Sequence, residues 1–208
     1  MAYLTGRAVQ FIVEHSEQQP DSPLFLYLAY QAMHSPTQAP EHYMDPFNAT
    51  IPDHHRRTVA AMVAAMDEGV GNVTAALKRV GMLEKSLIIF STDNGGPAYS
   101  DGNAASNFPL RGEKNTLWEG GVRGVGLVSG FGLHKSLVGV VSRQMHHAVD
   151  WLPTLLSIAV RGVVGPPSKG AVDWRSLLSP TEPPRQLGDG VDNSRLFTDG
   201  TCCRPLSL

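Results

Sequence analysis

AAMVAAMDEGVGNVTAALKRVGMLEKSLIIFSTDNGG, residues 60–96, decides the reading of the fold. Its first half belongs to a longer pattern over residues 54–80. There Val59, Met62, Val63, Met66, Val70, Val73, Leu77 and Val80 recur at steps of three and four, which places one apolar stripe along a helix. Gly69 and Gly71 are candidate bend points. Gly81 is the expected stop, because a glycine just past the last apolar position readily takes the left-handed backbone that ends helices. Ser86–Thr92 then reads as a short strand buried on both faces. It runs out into Asp93-Asn94-Gly95-Gly96, so polar residues stand at the carboxyl end of a buried strand, where open α/β sheets gather ligands.

Working outward, Leu24–Tyr30 (LFLYLAY) is a second apolar run bounded by turn residues and predicts another buried strand. Residues 3–17 carry Leu4, Ala8, Phe11 and Ile12 at helical spacing. Residues 31–53 hold four prolines, Pro36, Pro40, Pro46 and Pro52, and read as a long loop. A glycine-rich loop over 93–112 precedes a third expected strand, Val122–Ser129. Ala148–Val160 is helical in spacing, with Pro153 tolerable in a first turn. Strands alternating with helices argue an α/β class with a mainly parallel sheet flanked by helices. The expected organisation is one partial domain over residues 1–162, followed by a truncated C-terminal region with a divergent tail over 163–208.

Composition narrows the functional classes. Of 208 residues, 42% are hydrophobic and 17% charged. That is an ordinary globular balance. The formal net charge of -2 gives no electrostatic footprint for nucleic acid. No apolar run reaches the roughly 20 residues that span a bilayer. Met1–Gln10 lacks the pattern of a secretory signal. The two cysteines, Cys202 and Cys203, are adjacent, so no disulfide framework is expected.

Polar groups follow the first two expected strands, and Lys114 lies on the loop before the third. Asp93 and Asn94 offer adjacent hard oxygen donors suited to Ca²⁺ or Mg²⁺, although Asp-Asn-Gly-Gly is equally a good turn. His34 can protonate a leaving group or hydrogen-bond an anion; a loop histidine can also simply bind local backbone. Lys114 can hold sulfate or phosphate oxygens, yet most lysines are solvated surface charges. Asn48-Ala49-Thr50 and Asn72-Val73-Thr74 match the N-glycosylation pattern, and at Asn72 this requires a solvent-facing helix position.

The strings now carry a resemblance. PLFLYLAYQAMHSPTQAPEHY (23–43), the 60–96 stretch, PLRGEKNTLWEGGVRGVGLV (109–128) and HHAVDWLPTLLSIA (146–159) together resemble the C-terminal part of a sulfatase catalytic domain. The form is that of the arylsulfatase B group, N-acetylgalactosamine-4-sulfatase type. The resemblance implies an alkaline-phosphatase-like fold and hydrolysis of sulfate esters on sulfated glycans or aryl sulfates. It implies that Asp93 and Asn94 are ligands of a Ca²⁺ ion, with His34 and Lys114 as catalytic contacts to the sulfate. It also implies a glycoprotein, lysosomal or secreted, with glycans at Asn72 and Asn48.

Sulfatases attack with a formylglycine made from a Cys-x-Pro-x-Arg motif, and these 208 residues contain none; Cys202-Cys203-Arg204-Pro205 has the wrong order. The expectation is therefore an incomplete fragment, inactive and poorly folded alone, whose apolar strand and helix faces are an aggregation liability. Two other readings stay open: a pseudoenzyme that binds sulfated glycans without turnover, and a phosphoryl-transfer relative from the same superfamily. The sequence leaves oligomeric state unread.

Overall fold

In a computed structural model the chain is described at residues 1–98, 104–133, 137–142 and 145–163. The tail with Cys202 and Cys203, and the expected C-terminal region beyond Val163, lie outside the described residues. The chain divides into two compact units, Met1–Gly130 and Phe131–Leu208.

The first unit is a helical layer beside a two-stranded sheet. Helix α1 spans Ala2–Gln18 and buries Thr5, Ala8 and Ile12, one residue per turn. The stripe differs from the expected one at Phe11, which is 47% exposed and lies under the Arg7 guanidinium, 4.9 Å from the ring centroid. Residues 31–53 are less irregular than expected. They contain a short helix, α2 (Glu41–Met44), and a 3₁₀ turn over Asp45–Phe47 whose Pro46 sits in its first turn. Here prolines punctuate short helical turns, whose first positions need no amide donor.

Helix α3, His54–Arg79, is the helix expected there, but its buried residues are Thr58, Ala61, Met62, Gly69, Ala76 and Leu77, so of the expected stripe only Met62 and Leu77 are buried and Val63 is exposed. Asp53 caps it by accepting a hydrogen bond from the Arg56 amide at 2.8 Å, which satisfies one of the amides left free at a helix start. The helix runs on through Gly69 and Gly71. Gly69 serves close packing: a methyl group there would stand 2.7 Å from the Tyr30 hydroxyl and 2.8 Å from Thr5 Oγ1. The helix ends as expected at Gly81, φ +73°. Met82 N–H donates to Leu77 C=O at 2.9 Å and Gly81 N–H donates to Lys78 C=O at 3.1 Å, the paired bonds of a Schellman ending. That ending turns Met82 back toward Leu77. Leu77, Ile12 and Ala76 form the buried core cluster, flanked by Val9, Leu24, Val73, Val80, Met82, Leu83 and Ile88.

Strand β1, Leu87–Ser91, follows, and it pairs with β2, Gly126–Gly130, in antiparallel register from Leu87 opposite Gly130 to Ser91 opposite Gly126. This corrects the mainly parallel sheet expected from the alternation of elements, for the described residues. A parallel return needs a crossover running back along the sheet. Among the described residues, the β1–β2 connection carries only a four-residue helix, α4 (Glu119–Val122), and the chain re-enters at the end it left. The expected strand at Leu24–Tyr30 is also corrected. The run has no ladder partner among the described residues. It is not buried on both faces either: Phe25 is 76% and Tyr27 82% exposed, while Leu24, Leu28 and Tyr30 are half-buried. A lone apolar run cannot satisfy its backbone as a strand without a neighbour.

Within the second unit, a 3₁₀ turn at Ala148–Asp150 leads into α5, Trp151–Val163. His147 N–H donates to Asp150 Oδ2 at 2.8 Å, and His147 Nδ1 accepts from Val149 N–H at 3.3 Å. His146 stacks at 4.0 Å, tilted, on the Trp151 ring. Burial lowers the His146 pKa, and His147 adds to the lowering while Asp150 opposes it. The unfolded chain therefore takes up a proton on this residue at a higher pH than the folded chain does. Stability is retained above the unfolded histidine value, about 6.5, and falls as pH drops below it. Replacing His146 by glutamine should flatten the acid limb of the pH–stability curve around pH 6. An unchanged limb would rule the effect out.

Candidate active site

The end of β1 and the start of β2 lie side by side, and Thr92 extends that junction. Its amide donates to Val125 C=O at 2.9 Å, and its hydroxyl accepts from Val125 N–H at 2.7 Å. Asp93 comes next and is exposed, with Oδ1 accepting the Asn94 amide at 2.8 Å. Asn94 donates from Nδ2 to Gly95 C=O at 2.8 Å. These local bonds tie down the turn. They leave Asp93 Oδ2 and Asn94 Oδ1 without a hydrogen bond among the described residues, two adjacent hard donors.

Two glycine doublets lock this turn against the following loop. Gly95 N–H donates to Gly121 C=O at 2.9 Å, and Gly120 N–H donates to Arg111 C=O at 2.7 Å. A methyl group on Gly95 would land on the Gly120 carbonyl, one on Gly120 on the Gly112 carbonyl, and one on Gly121 on the Thr116 and Glu113 carbonyls. The glycines are thus required by backbone-on-backbone contact. Lys114, half-buried, donates its amide to Gly96 C=O at 3.3 Å. Its backbone is therefore held against a residue only two positions past Asn94.

Asn107 fastens the two loops, and no motif in the sequence singles it out. Its Oδ1 accepts Gly96 N–H at 2.9 Å, and its Nδ2 donates to Gly96 C=O at 2.7 Å and Gly112 C=O at 3.2 Å. The only signal in the sequence is an asparagine set between small residues and the glycine loop. The Arg111 guanidinium lies 3.7 Å from the Trp118 ring centroid. This cation–π contact stiffens the far side of the same loop.

His34 is exposed, and among the described residues it hydrogen-bonds only near itself. Its amide donates to Gln31 C=O at 3.0 Å, and Nδ1 lies 2.7 Å from Ser35 C=O. A carbonyl only accepts, so Nδ1 carries a proton and Nε2 is the reactive nitrogen. The neutral ring can then accept a proton at Nε2, and the imidazolium can donate one there. The structure thus ties Asp93, Asn94 and Lys114 to one loop junction by hydrogen bonds, and it holds His34 on a separate turn.

The donor chemistry fits a hard cation in part. Two oxygens stand ready, whereas Ca²⁺ takes six to eight, and among the described residues no cluster of three or more His, Cys, Asp or Glu side chains comes together. Asn72 and Asn48 are both exposed, Asn72 on α3 and Asn48 after the 3₁₀ turn, where Nδ2 donates to Asp45 Oδ1 at 3.1 Å. None of the described helices is long and apolar enough to cross a membrane.

Comparison with known proteins follows the same strings. The family profile described as Sulfatase matches residues 2–162. "Arylsulfatase J" of Mus musculus is 47% identical over 158 residues, covering 74% of this chain and 24% of that protein. "N-acetylgalactosamine-6-sulfatase" of Mus musculus is 31% identical over 206 residues, 98% of this chain and 36% of that protein. Among solved structures, Ps i-CgsB superposes with a TM-score of 0.75 at 32% identity, over 95% of this chain and 38% of that one. A second crystal structure of it holds k-i-k-neocarrahexaose, with a TM-score of 0.66 at 36% identity, covering 76% and 33%. The chain thus spans well under half the length of each of these proteins.

Proposed function

Since the chain belongs to the sulfatase family, we propose that it carries part of a sulfuric ester hydrolase site that grips the sulfate group of a sulfated glycan. The observation that carries this reading is the docking of Lys114 against Gly96, beside Asp93 and Asn94. The backbone that carries Lys114 thus meets the turn that carries two hard oxygens at one junction, an arrangement suited to an anion held next to a divalent metal. Asp93 and Asn94 would hold the Ca²⁺, and the ion would supply Lewis-acid stabilisation of sulfate oxygens.

The roles of the chain's own residues follow. The Lys114 ammonium binds non-bridging sulfate oxygens and offsets the charge that grows on them as the sulfur–oxygen ester bond lengthens. His34, protonated, donates from Nε2 to the departing alcohol oxygen as that bond breaks, and its Nδ1–H stays on Ser35 C=O throughout. The group that attacks sulfur comes from outside these residues, because the sequence has no Cys-x-Pro-x-Arg motif. The 208 residues by themselves are accordingly expected to bind without turnover. Support for a glycan substrate comes from the oligosaccharide held by one structural neighbour and from the names of the N-acetylgalactosamine-6-sulfatase relatives. The narrower arylsulfatase B-like, 4-sulfatase assignment rests on the LRGEKNTLWEGGVR string. A lysosomal or secreted glycoprotein, modified at Asn72 and Asn48, completes the reading.

Calorimetric titration with a sulfated disaccharide and its desulfated counterpart tests it. The sulfated sugar should bind more tightly, and Lys114→Ala should weaken that binding on the order of tenfold, the effect of losing one charge-assisted contact. Equal binding of the two sugars, or an indifferent Lys114→Ala variant, would sink the proposal. Tighter binding of the matching phosphate monoester would favour the phosphoryl-transfer alternative.

A further inference from the structure

We propose that Tyr30 is a positioning residue for His34, with its hydroxyl acting as the anchor from which the His34 turn projects. The Tyr30 hydroxyl lies 2.8 Å from Thr5 Oγ1. Thr5 is 6% exposed on α1, so this is a hydrogen bond at the buried face of the helical layer. Gly69 opens the space on α3: a methyl group there would stand 2.7 Å from the tyrosine hydroxyl and 3.2 Å from Cζ. The phenol tip is therefore seated in a notch made by one missing side chain and fastened by one hydroxyl.

The run leading to it has no sheet to hold it, since Leu24–Tyr30 pairs with no strand among the described residues. Leu24 fixes its beginning in the core, and Tyr30 fixes its end. The next residue, Gln31, accepts the His34 amide at 3.0 Å. The histidine thus sits one tight turn beyond the anchor, and displacement of Tyr30 moves it directly. Local pattern places Tyr30 in a buried strand and Gly69 at a helix bend; neither reading contains the contact between them. The inference takes its functional meaning from the reading of His34 as proton donor, but its test involves no substrate.

The test compares amide exchange over residues 31–36 and the His34 ring resonance, assigned with His34→Ala, in variants of the full chain. Tyr30→Phe and Thr5→Val each remove one hydroxyl with little change of shape. Both should speed exchange over 31–36 roughly tenfold and shift the His34 signal. Thr5→Ser restores the hydroxyl and should return both to parent values. Ile12→Val, which disturbs the same α1–α3 core without touching the hydroxyl pair, should leave both unchanged. An unaltered turn in Tyr30→Phe and Thr5→Val, or the same response in Ile12→Val, overturns the proposal. If the positional result holds while Lys114→Ala leaves sulfate binding intact, only the functional reading falls.

Discussion

Gly95→Ala is expected to destabilise the first unit by about 3 kcal/mol, the upper end for overpacking. The reason is that nothing around Gly95 can yield cheaply. The added methyl would meet the Gly120 carbonyl oxygen, its carbon at 2.7 Å and the Gly121 Cα at 3.3 Å. All are backbone, so no rotamer change relieves the clash. Moving the two segments apart would also stretch the Gly95 amide bond to Gly121. Gly71→Ala on α3 is the counter-experiment. Its added methyl meets nothing within 4 Å, and alanine is preferred over glycine in a helix by about 1 kcal/mol. Urea unfolding should therefore move in opposite directions for the two variants. Equal midpoints would mean that the glycine junction is not close-packed.

The second large effect concerns Asn107. Asn107→Ala removes three hydrogen bonds and leaves two Gly96 groups and the Gly112 carbonyl without their side-chain partner. At roughly 1 kcal/mol for each bond, the loss is about 2–3 kcal/mol. Asn107→Asp separates geometry from chemistry. One carboxylate oxygen can still accept the Gly96 amide, but the other would face two carbonyl oxygens with no proton to share. The aspartate variant should be no more stable than the alanine variant at pH 7. It should regain stability as pH falls below the carboxyl range, where the protonated oxygen can donate again. An aspartate variant equal to the parent at pH 7 would show that Nδ2 is dispensable. Local exchange at Gly96 and Gly112 would report the same loss.

The helices are legible in the sequence because burial repeats along them. Val73, Leu77 and Val80 sit at helical spacing, and Gly81 marks the stop that the backbone takes. Ser86–Thr92 is legible as a strand to within a residue at each end. Strand direction is not, since an apolar run reads the same for either neighbour orientation. What decides it is the connection between Ser91 and Gly126, which among the described residues has no helix long enough to carry the chain back. Leu24–Tyr30 has strand composition but no partner, a tertiary fact that no local pattern contains. At the candidate site, Asp93, Asn94 and Lys114 stand out through their place after a strand or before one. Asn107 does not, because its role depends on reaching carbonyls of residues 96 and 112 across a fold. The doublets at Gly95-Gly96 and Gly120-Gly121 are the available hint, and by themselves they read only as loop composition.

The antiparallel pairing of β1 with β2 has a consequence for the order of folding. Ser91 lies opposite Gly126, so the segments bearing Asp93 and Lys114 emerge from the same end of one hairpin-like unit. Bringing them together requires a single ring closure through the β1–β2 connection, whose entropic cost grows only as the logarithm of its length. The backbone segments that bear Asp93 and Lys114 should therefore reach their mutual register together with the β1–β2 pairing, in one event.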